Sequence, residues 1–166
     1  MPRTTPSGTS RQQSRSHILC RLTASIARIR PAARCETKRR GELAELIFQL
    51  TAVQRGLKVS KPHGDSDRYD FIVDTGTRLS RVQVKATGSI QSGGYRVNSG
   101  RRAYKHAIAY EESEIDFLAA YIVPEETWYI IPVADLEQRL SLLIYPKESG
   151  KSGLYDKYRE AWELLE

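Results

Sequence analysis

The sequence has two cysteines, Cys20 and Cys35, both in its first 35 residues and without the paired spacing of a metal knuckle. That excludes a disulfide framework and makes a cysteine zinc site untenable, and it suits a reducing cytoplasm. No apolar run approaches the roughly 18 residues that a membrane-spanning helix needs, and no compact hydrophobic segment ends in a small-residue cleavage site. Residues 1–35 have no acidic residue and no lysine; they carry seven arginines among Ser, Thr and Pro. Such a composition is expected to form a disordered basic tail. Ile18, Leu22, Ile26 and Ile29 recur at helical spacing, so a short amphipathic helix, a transit peptide and a DNA-binding tail stay open as further readings of this stretch.

What remains, residues 36–166, suffices for one domain with its own core. Net charge is unevenly placed: +7 over residues 1–35, +7 over 36–110 and −8 over 111–166, for +6 in all. A basic front joined to an acidic back suggests a polarised molecule whose positive side meets an anion such as a nucleic acid backbone. The opposing reading is that the two signs pair across the fold.

Residues 69–85, YDFIVDTGTRLSRVQVK, predict a β-hairpin: alternation over 69–73, turn chemistry at Asp74, Thr75 and Gly76, and resumed alternation over 79–86. Because strand side chains alternate, Arg81, Gln83 and Lys85 share one face of the second strand, and Val82, Val84 and Ala86 the other. Asp70, Gln83 and Lys85 can then meet at one spot. The Asp70 carboxylate and the Gln83 amide oxygen suit a hard divalent cation, and the Lys85 ammonium suits a phosphate or an attacking water. From the hairpin alone, a solvated polar strand edge is the ordinary reading of the same residues.

Upstream, Thr37 is expected to cap a helix in which Leu43, Ala44, Ile47, Phe48, Leu50, Thr51 and Val53 form an apolar stripe, ended by Gly56. Glu42 and Glu45 lie on neighbouring turns of it. Residues 57–60 read as a short strand and 61–68 as a loop whose Lys61, His63 and Arg68 suit phosphate contact; His63 reads as a solvated loop histidine rather than a general base. Residues 86–105 interleave cations, polar donors and aromatics, with Thr87, Asn98, Arg101, Arg102 and Lys105 as candidate DNA contacts beside Arg81. Residues 115–133 predict two buried apolar strands joined at 124–126. A helix over 134–140, a strand over 141–145 and an amphipathic helix over 154–165 follow. This order gives an α/β fold with a mixed central sheet flanked by helices.

The spacing of Asp70, twelve intervening residues, Gln83, one residue and Lys85, behind a helix containing Gly41-Glu42-Leu43-Ala44-Glu45, resembles the PD-(D/E)XK nuclease superfamily. It resembles the variant in which Gln replaces the second acidic residue, and more narrowly it is similar to the group I intron-associated homing endonucleases. The resemblance implies a restriction-endonuclease-like core and metal-dependent hydrolysis of double-stranded DNA, with Mg²⁺ as cofactor and Mn²⁺ able to substitute. It implies Asp70, Gln83 and Lys85 as catalytic, and it prefers Glu45, eleven residues before Gly56, as the helical acid. Metal ligands would be Asp70, Gln83, Glu45 and the Val84 carbonyl. Gln83 departs from the superfamily's acidic residue and weakens metal binding, so an inactive DNA-binding module is one alternative; a Holliday-junction resolvase is another. Because cutting two strands takes two sites, a homodimer or homotetramer is expected, with Tyr155, Tyr158 and Trp162 as candidate contact surface.

Overall fold

The computed structural model describes residues 36–64, 66–145 and 153–166, so the tail and the short helix expected within residues 1–35 lie outside the described residues. Helix α1, Glu36–Gln54, opens them. Its buried side is Ala44, Phe48 and Ala52, spaced four residues apart, with Ile47 packed alongside. This stripe is narrower than the sequence pattern suggested, since Leu50 and Val53 are exposed together with Leu46. Thr37, expected as the cap, lies inside the helix. The end is as expected: Gly56 sits at φ +85°, its N–H donates to the Val53 carbonyl, and the Leu57 N–H donates to the Ala52 carbonyl. This is the paired closure that a glycine past the last turn permits.

The central sheet has the order β1-β2-β3-β8-β9, formed by Lys58–Ser60 (β1), Phe71–Asp74 (β2), Leu79–Thr87 (β3), Phe117–Ile122 (β8) and Thr127–Pro132 (β9). Strand β3 is its axis. Its first half pairs antiparallel with β2, from Asp74 against Leu79 to Phe71 against Val82. Its second half pairs parallel with β8, from Val82 against Phe117 to Thr87 against Ile122. The β2–β3 turn closes as the sequence suggested: the Asp74 carboxylate accepts the Gly76 N–H at 2.6 Å, and Gly76 holds φ +84°.

Between β3 and β8 the stretch expected as a polar loop is folded. Ile90–Gln91 (β4) and Gly94–Asn98 (β5) join Ser141–Ile144 (β10) in a three-stranded sheet, while Gly100–Ala103 (β6) and His106–Ala109 (β7) form a separate antiparallel ribbon. The central sheet is covered by α1 on one face, where Ala44, Phe48 and Ala52 share a buried cluster with Phe71, Val82, Val84, Ala119 and Ile130. On the other face Leu118, Ala120, Ile122 and Ile131 pack with Tyr95, Val97, Leu142 and Ile144 of the small sheet. Alternation along β8 explains its unbroken apolar sequence, because both of its faces are buried.

Two expected helices are instead 3₁₀ turns. Val133–Leu136 stops because Glu137 and Gln138 both adopt left-handed backbone. The C-terminal stretch is split into Asp156–Tyr158 and Trp162–Leu165. Between them Arg159 is extended and bridges Tyr129 of β9, and Glu160 donates its N–H to the Trp128 carbonyl at 2.8 Å. The Glu160 side chain returns two bonds, from the Trp128 N–H at 2.6 Å and the Trp162 indole N–H at 2.9 Å. Edge-strand groups of β9 thus capture the segment, and satisfying them outweighs helix propensity. A consequence is that Tyr155, Tyr158 and Trp162 are buried within the chain itself, Trp162 completely, so they do not form the expected contact surface.

Phe48 is the junction of this packing: its ring lies 5.3 Å from Phe71, 5.4 Å from Trp162 and 5.6 Å from Trp128. Aromatic truncation at a filled site leaves a cavity, so Phe48→Ala is expected to cost about 3–5 kcal/mol. Urea unfolding followed by tryptophan fluorescence measures this; a loss near zero would show that α1 is not held by Phe48.

Candidate active site

Strand β2 stops pairing where the site begins. The Asp70 N–H still donates to the Val82 carbonyl at 2.9 Å, but β2 pairs no further, so among the described residues β3 beyond Val82 has no strand on that edge. The next edge-facing N–H, that of Val84, is taken by the Asp70 carboxylate: Oδ2 accepts it at 2.7 Å. The same oxygen accepts Nε2 of Gln83 at 2.5 Å, and Nε2 also reaches the Val84 carbonyl at 3.2 Å. A buried backbone polar pair is satisfied by side chains where the neighbouring strand ends. Asp70, Gln83 and the Val84 carbonyl are thereby brought together, as expected.

Lys85, two positions along from Gln83, is half-buried and its Nζ stands 5.7 Å from the centre of the Tyr110 ring. Burial pushes its ammonium below the usual lysine value of 10.5, against the upward pull of Asp70 and Glu45. Asp70 moves the other way. Burial raises its carboxyl above 3.8, the Val84 N–H counteracts this, and Glu45 raises it further while Lys85 and Lys61 lower it. Desolvation disfavours both charges, and their proximity offsets part of that cost.

Glu45 faces this corner from α1, and its Oε2 accepts Lys61 Nζ at 2.7 Å. It borders an open groove of about 190 Å³ also lined by Glu42, Leu46, Gln49, Lys61 and Phe71. His63 and Arg68 are exposed on the neighbouring loop, with Arg68 Nε 3.8 Å from Glu114. Asn98, Arg102 and Lys105 are exposed on β5, β6 and the ribbon tip.

Three of the expected DNA contacts are used inside the protein. Arg81 Nε and Nη2 donate to Asp116 at 3.1 and 2.9 Å, and its other donors reach the carbonyls of Glu112 and Ser113. Arg101 clamps Glu114 with contacts of 2.6 and 3.0 Å. Thr87 is buried and donates its hydroxyl to the Arg96 carbonyl at 2.7 Å. Two-pronged arginine–carboxylate pairs hold these guanidinium groups against Asp116 and Glu114.

Can these residues hold a divalent cation? Among the described residues no group of three or more His, Cys, Asp or Glu side chains comes together. The oxygens present are the Asp70 carboxylate and the Val84 carbonyl, both contacted by one amide nitrogen. Gln83 with its amide turned over presents Oε1 at the same place, and Glu45 stands nearby. That set of hard oxygens fits a cation bound with few carboxylates and several waters.

A scan against protein-family models matches residues 35–165 to the PD-(D/E)XK endonuclease. The chain belongs to the PD-(D/E)XK endonuclease family. A search of the solved structures finds similarity to a bacterial homing endonuclease, I-Ssp6803I, at 29% identity and a TM-score of 0.70, covering 78% of this chain and 93% of that one. A search of the curated proteins found no match. PD-(D/E)XK nucleases generally use divalent metal ions, and the mixed sheet with α1 is consistent with the fold of this family.

Sequence reasoning missed Tyr110. It is buried, and burial pushes its phenol up to about 12, with the Asp70 charge adding to the rise. It presents to Lys85 a neutral ring whose face attracts a cation. No spacing rule ties it to Lys85, because it reaches the site through the ribbon that precedes it.

The two opposite shifts generate a prediction for the metal-free protein. The Asp70 carboxyl should lose its proton above 3.8 and the Lys85 ammonium below 10.5 as pH rises, so the pH range in which both are charged is narrowed from both ends. Side-chain NMR titration checks this. Ordinary values at both residues would show that the site is hydrated rather than buried.

Proposed function

We propose that this chain is a metal-dependent deoxyribonuclease that hydrolyses phosphodiester bonds in double-stranded DNA, with Mg²⁺ as its ion and Mn²⁺ as a substitute. The observation that carries the reading is the convergence of Asp70, Gln83 and Lys85 on the unpaired edge of β3. When bound, the cation supplies Lewis acidity at the phosphoryl group. Asp70, the Val84 carbonyl, Gln83 through Oε1, and Glu45 are the groups that would hold it. Lys85 places a desolvated positive charge where negative charge grows, and fixed charge in a partly dry site is effective there. Glu45, which accepts Lys61 Nζ, would orient water or complete the ligand set. Tyr110 keeps one side of Lys85 dry.

His63, Arg68, Lys61, Asn98, Arg102 and Lys105, all exposed, form the proposed DNA-contact set, from which Arg81, Thr87 and Arg101 are removed because they are half-buried or buried against Asp116, the Arg96 carbonyl and Glu114. The similarity to a bacterial homing endonuclease supports duplex DNA as substrate. Two-strand cleavage by a chain with one such site supports a homodimer or a tetramer of dimers. The apolar side of α1, Leu46, Leu50 and Val53, is surface available for it. We place the activity in the cytoplasm; among the described residues no helix is long and apolar enough to cross a membrane.

Gln83 itself supports a second reading, a duplex-binding module without turnover, because its amide donates to the oxygens a cation would need.

Purified protein is expected to nick or cut plasmid DNA with Mg²⁺ or Mn²⁺ and to stop in EDTA. Asp70→Ala and Lys85→Ala should each lower the rate about a hundredfold or more. Cutting by both variants at the parent's rate would remove the site; duplex binding in EDTA with no cleavage under any ion would favour the second reading. Sedimentation with duplex bound should give more than one chain per complex, and a lone chain of 18.8 kDa on the DNA would defeat the oligomer.

A further inference from the structure

Strands β6 and β7 make a two-stranded ribbon outside both sheets, from Gly100 against Ala109 to Ala103 against His106, closed by the two residues Tyr104 and Lys105. A two-stranded hairpin is marginally stable on its own in water. This one nonetheless leaves Arg102 and every residue from Tyr104 to Ile108 exposed, with Tyr104 at 91%. Its tip also runs against the usual preference for glycine or asparagine in such a connection, since Tyr104 adopts φ +50°. The residue placed there is a large amphipathic ring, and Lys105 Nζ lies 5.6 Å from its centre.

Charge says what the ribbon faces. From Ala86 to Tyr110 the chain has no aspartate or glutamate, while Arg96, Arg101, Arg102 and Lys105 are all present. Of these, Arg101 is spent at the base, where it is clamped by Glu114. Gly100 fixes that base further: a Cβ there would stand 2.9 Å from the Ile108 carbonyl oxygen and 3.0 Å from Leu140. The outer residues are therefore free to contact a partner while the inner ones hold the ribbon at a set angle. The ribbon also leads directly into Tyr110, whose ring adjoins Lys85.

We propose that the β6–β7 ribbon enters the major groove of duplex DNA and reads base edges through Arg102, Tyr104, Lys105 and His106. The major groove, about 12 Å wide, admits a two-stranded ribbon, whereas the minor groove at about 6 Å does not. Arg102 and Lys105 match the paired acceptors of guanine, the Tyr104 ring matches the thymine methyl, and the His106 imidazole can donate or accept. Tyr110 then sets the distance between the bases read and the phosphate at Lys85. This rests on the reading of Asp70, Gln83 and Lys85 as a DNA-cutting site.

The test uses the full chain and a pool of randomised duplexes in EDTA, with the bound fraction sequenced. The parent should enrich particular sequences. Tyr104→Ala combined with Lys105→Ala should weaken binding about tenfold or more, flatten the enrichment, and reduce the salt dependence of binding by about one counterion. Methyl green, a major-groove ligand, should compete with the parent, and netropsin, a minor-groove ligand, should not. An unchanged thermal melt of the ribbon variant shows that its loss is not unfolding. If the ribbon variant enriches the same sequences with the same affinity, or netropsin displaces the parent, the ribbon proposal is overturned while cleavage by the parent leaves the nuclease reading standing. If the variant instead changes the sedimentation of protein alone, the ribbon is a contact between copies and the proposal is again overturned. A parent that neither binds nor cuts any duplex defeats both readings.

Discussion

One hydrogen bond organises the site: the Val84 N–H donated to the carboxylate of Asp70 at 2.7 Å. In a longer β2 that N–H would meet a strand carbonyl. Because β2 begins at Phe71, the carboxylate of the preceding residue takes the carbonyl's place and is fixed against β3 by the backbone itself. The geometry then propagates. Gln83, one residue before Val84, meets the same carboxylate from the side-chain face, and Lys85, one residue after, is set on that face beside it. Val82 and Val84 meanwhile bury their side chains under Phe48 and α1. The packing that holds the helix therefore also holds the register of the reactive residues, and Glu45 arrives from the same helix.

Placing a carboxylate and an ammonium in a half-dry corner costs desolvation for each, which their opposite shifts from ordinary values express. The arrangement is tolerable because each charge attracts the other and because Oδ2 of Asp70 is bonded twice. It also leaves the corner poised for added positive charge: Glu45 raises Asp70 through like-charge repulsion, a conflict that a cation bound between them would relieve. Gln83 fills the corresponding space with amide donors. A neutral amide at this position avoids a third buried carboxylate, at the expense of weaker attraction for the ion.

The hairpin was legible because alternation and turn chemistry are local signals, and the residues that meet on β3 follow from period two. Helix α1 and its glycine end were legible for the same reason, as were the apolar strands β8 and β9. What escaped was decided across long separations. Nothing near Arg159 and Glu160 announces that β9 will capture them, so a periodic apolar pattern read as one helix became two 3₁₀ turns. Arg81 and Arg101 looked like surface cations because their carboxylate partners, Asp116 and Glu114, lie on the far side of the ribbon in sequence. The charge polarity of the chain is thus partly cancelled inside the fold, while the exposed Arg102 and Lys105 keep what faces outward. Tyr110 was invisible because it bears on Lys85 through tertiary packing alone. The polar segment read as loop from its Gly and Ser content is folded into β4, β5 and the ribbon.

The most direct test of the account is crystallographic: a complex with duplex DNA grown with Mn²⁺, in which anomalous scattering locates the ion independently of the protein. The expected result is an ion ligated by the Asp70 carboxylate and a phosphate oxygen, with the Gln83 amide nitrogen withdrawn from Asp70 and Lys85 directed at the same phosphate. An ion bound elsewhere, or a phosphate backbone that bypasses the open edge of β3 while Gln83 stays on Asp70, would contradict it.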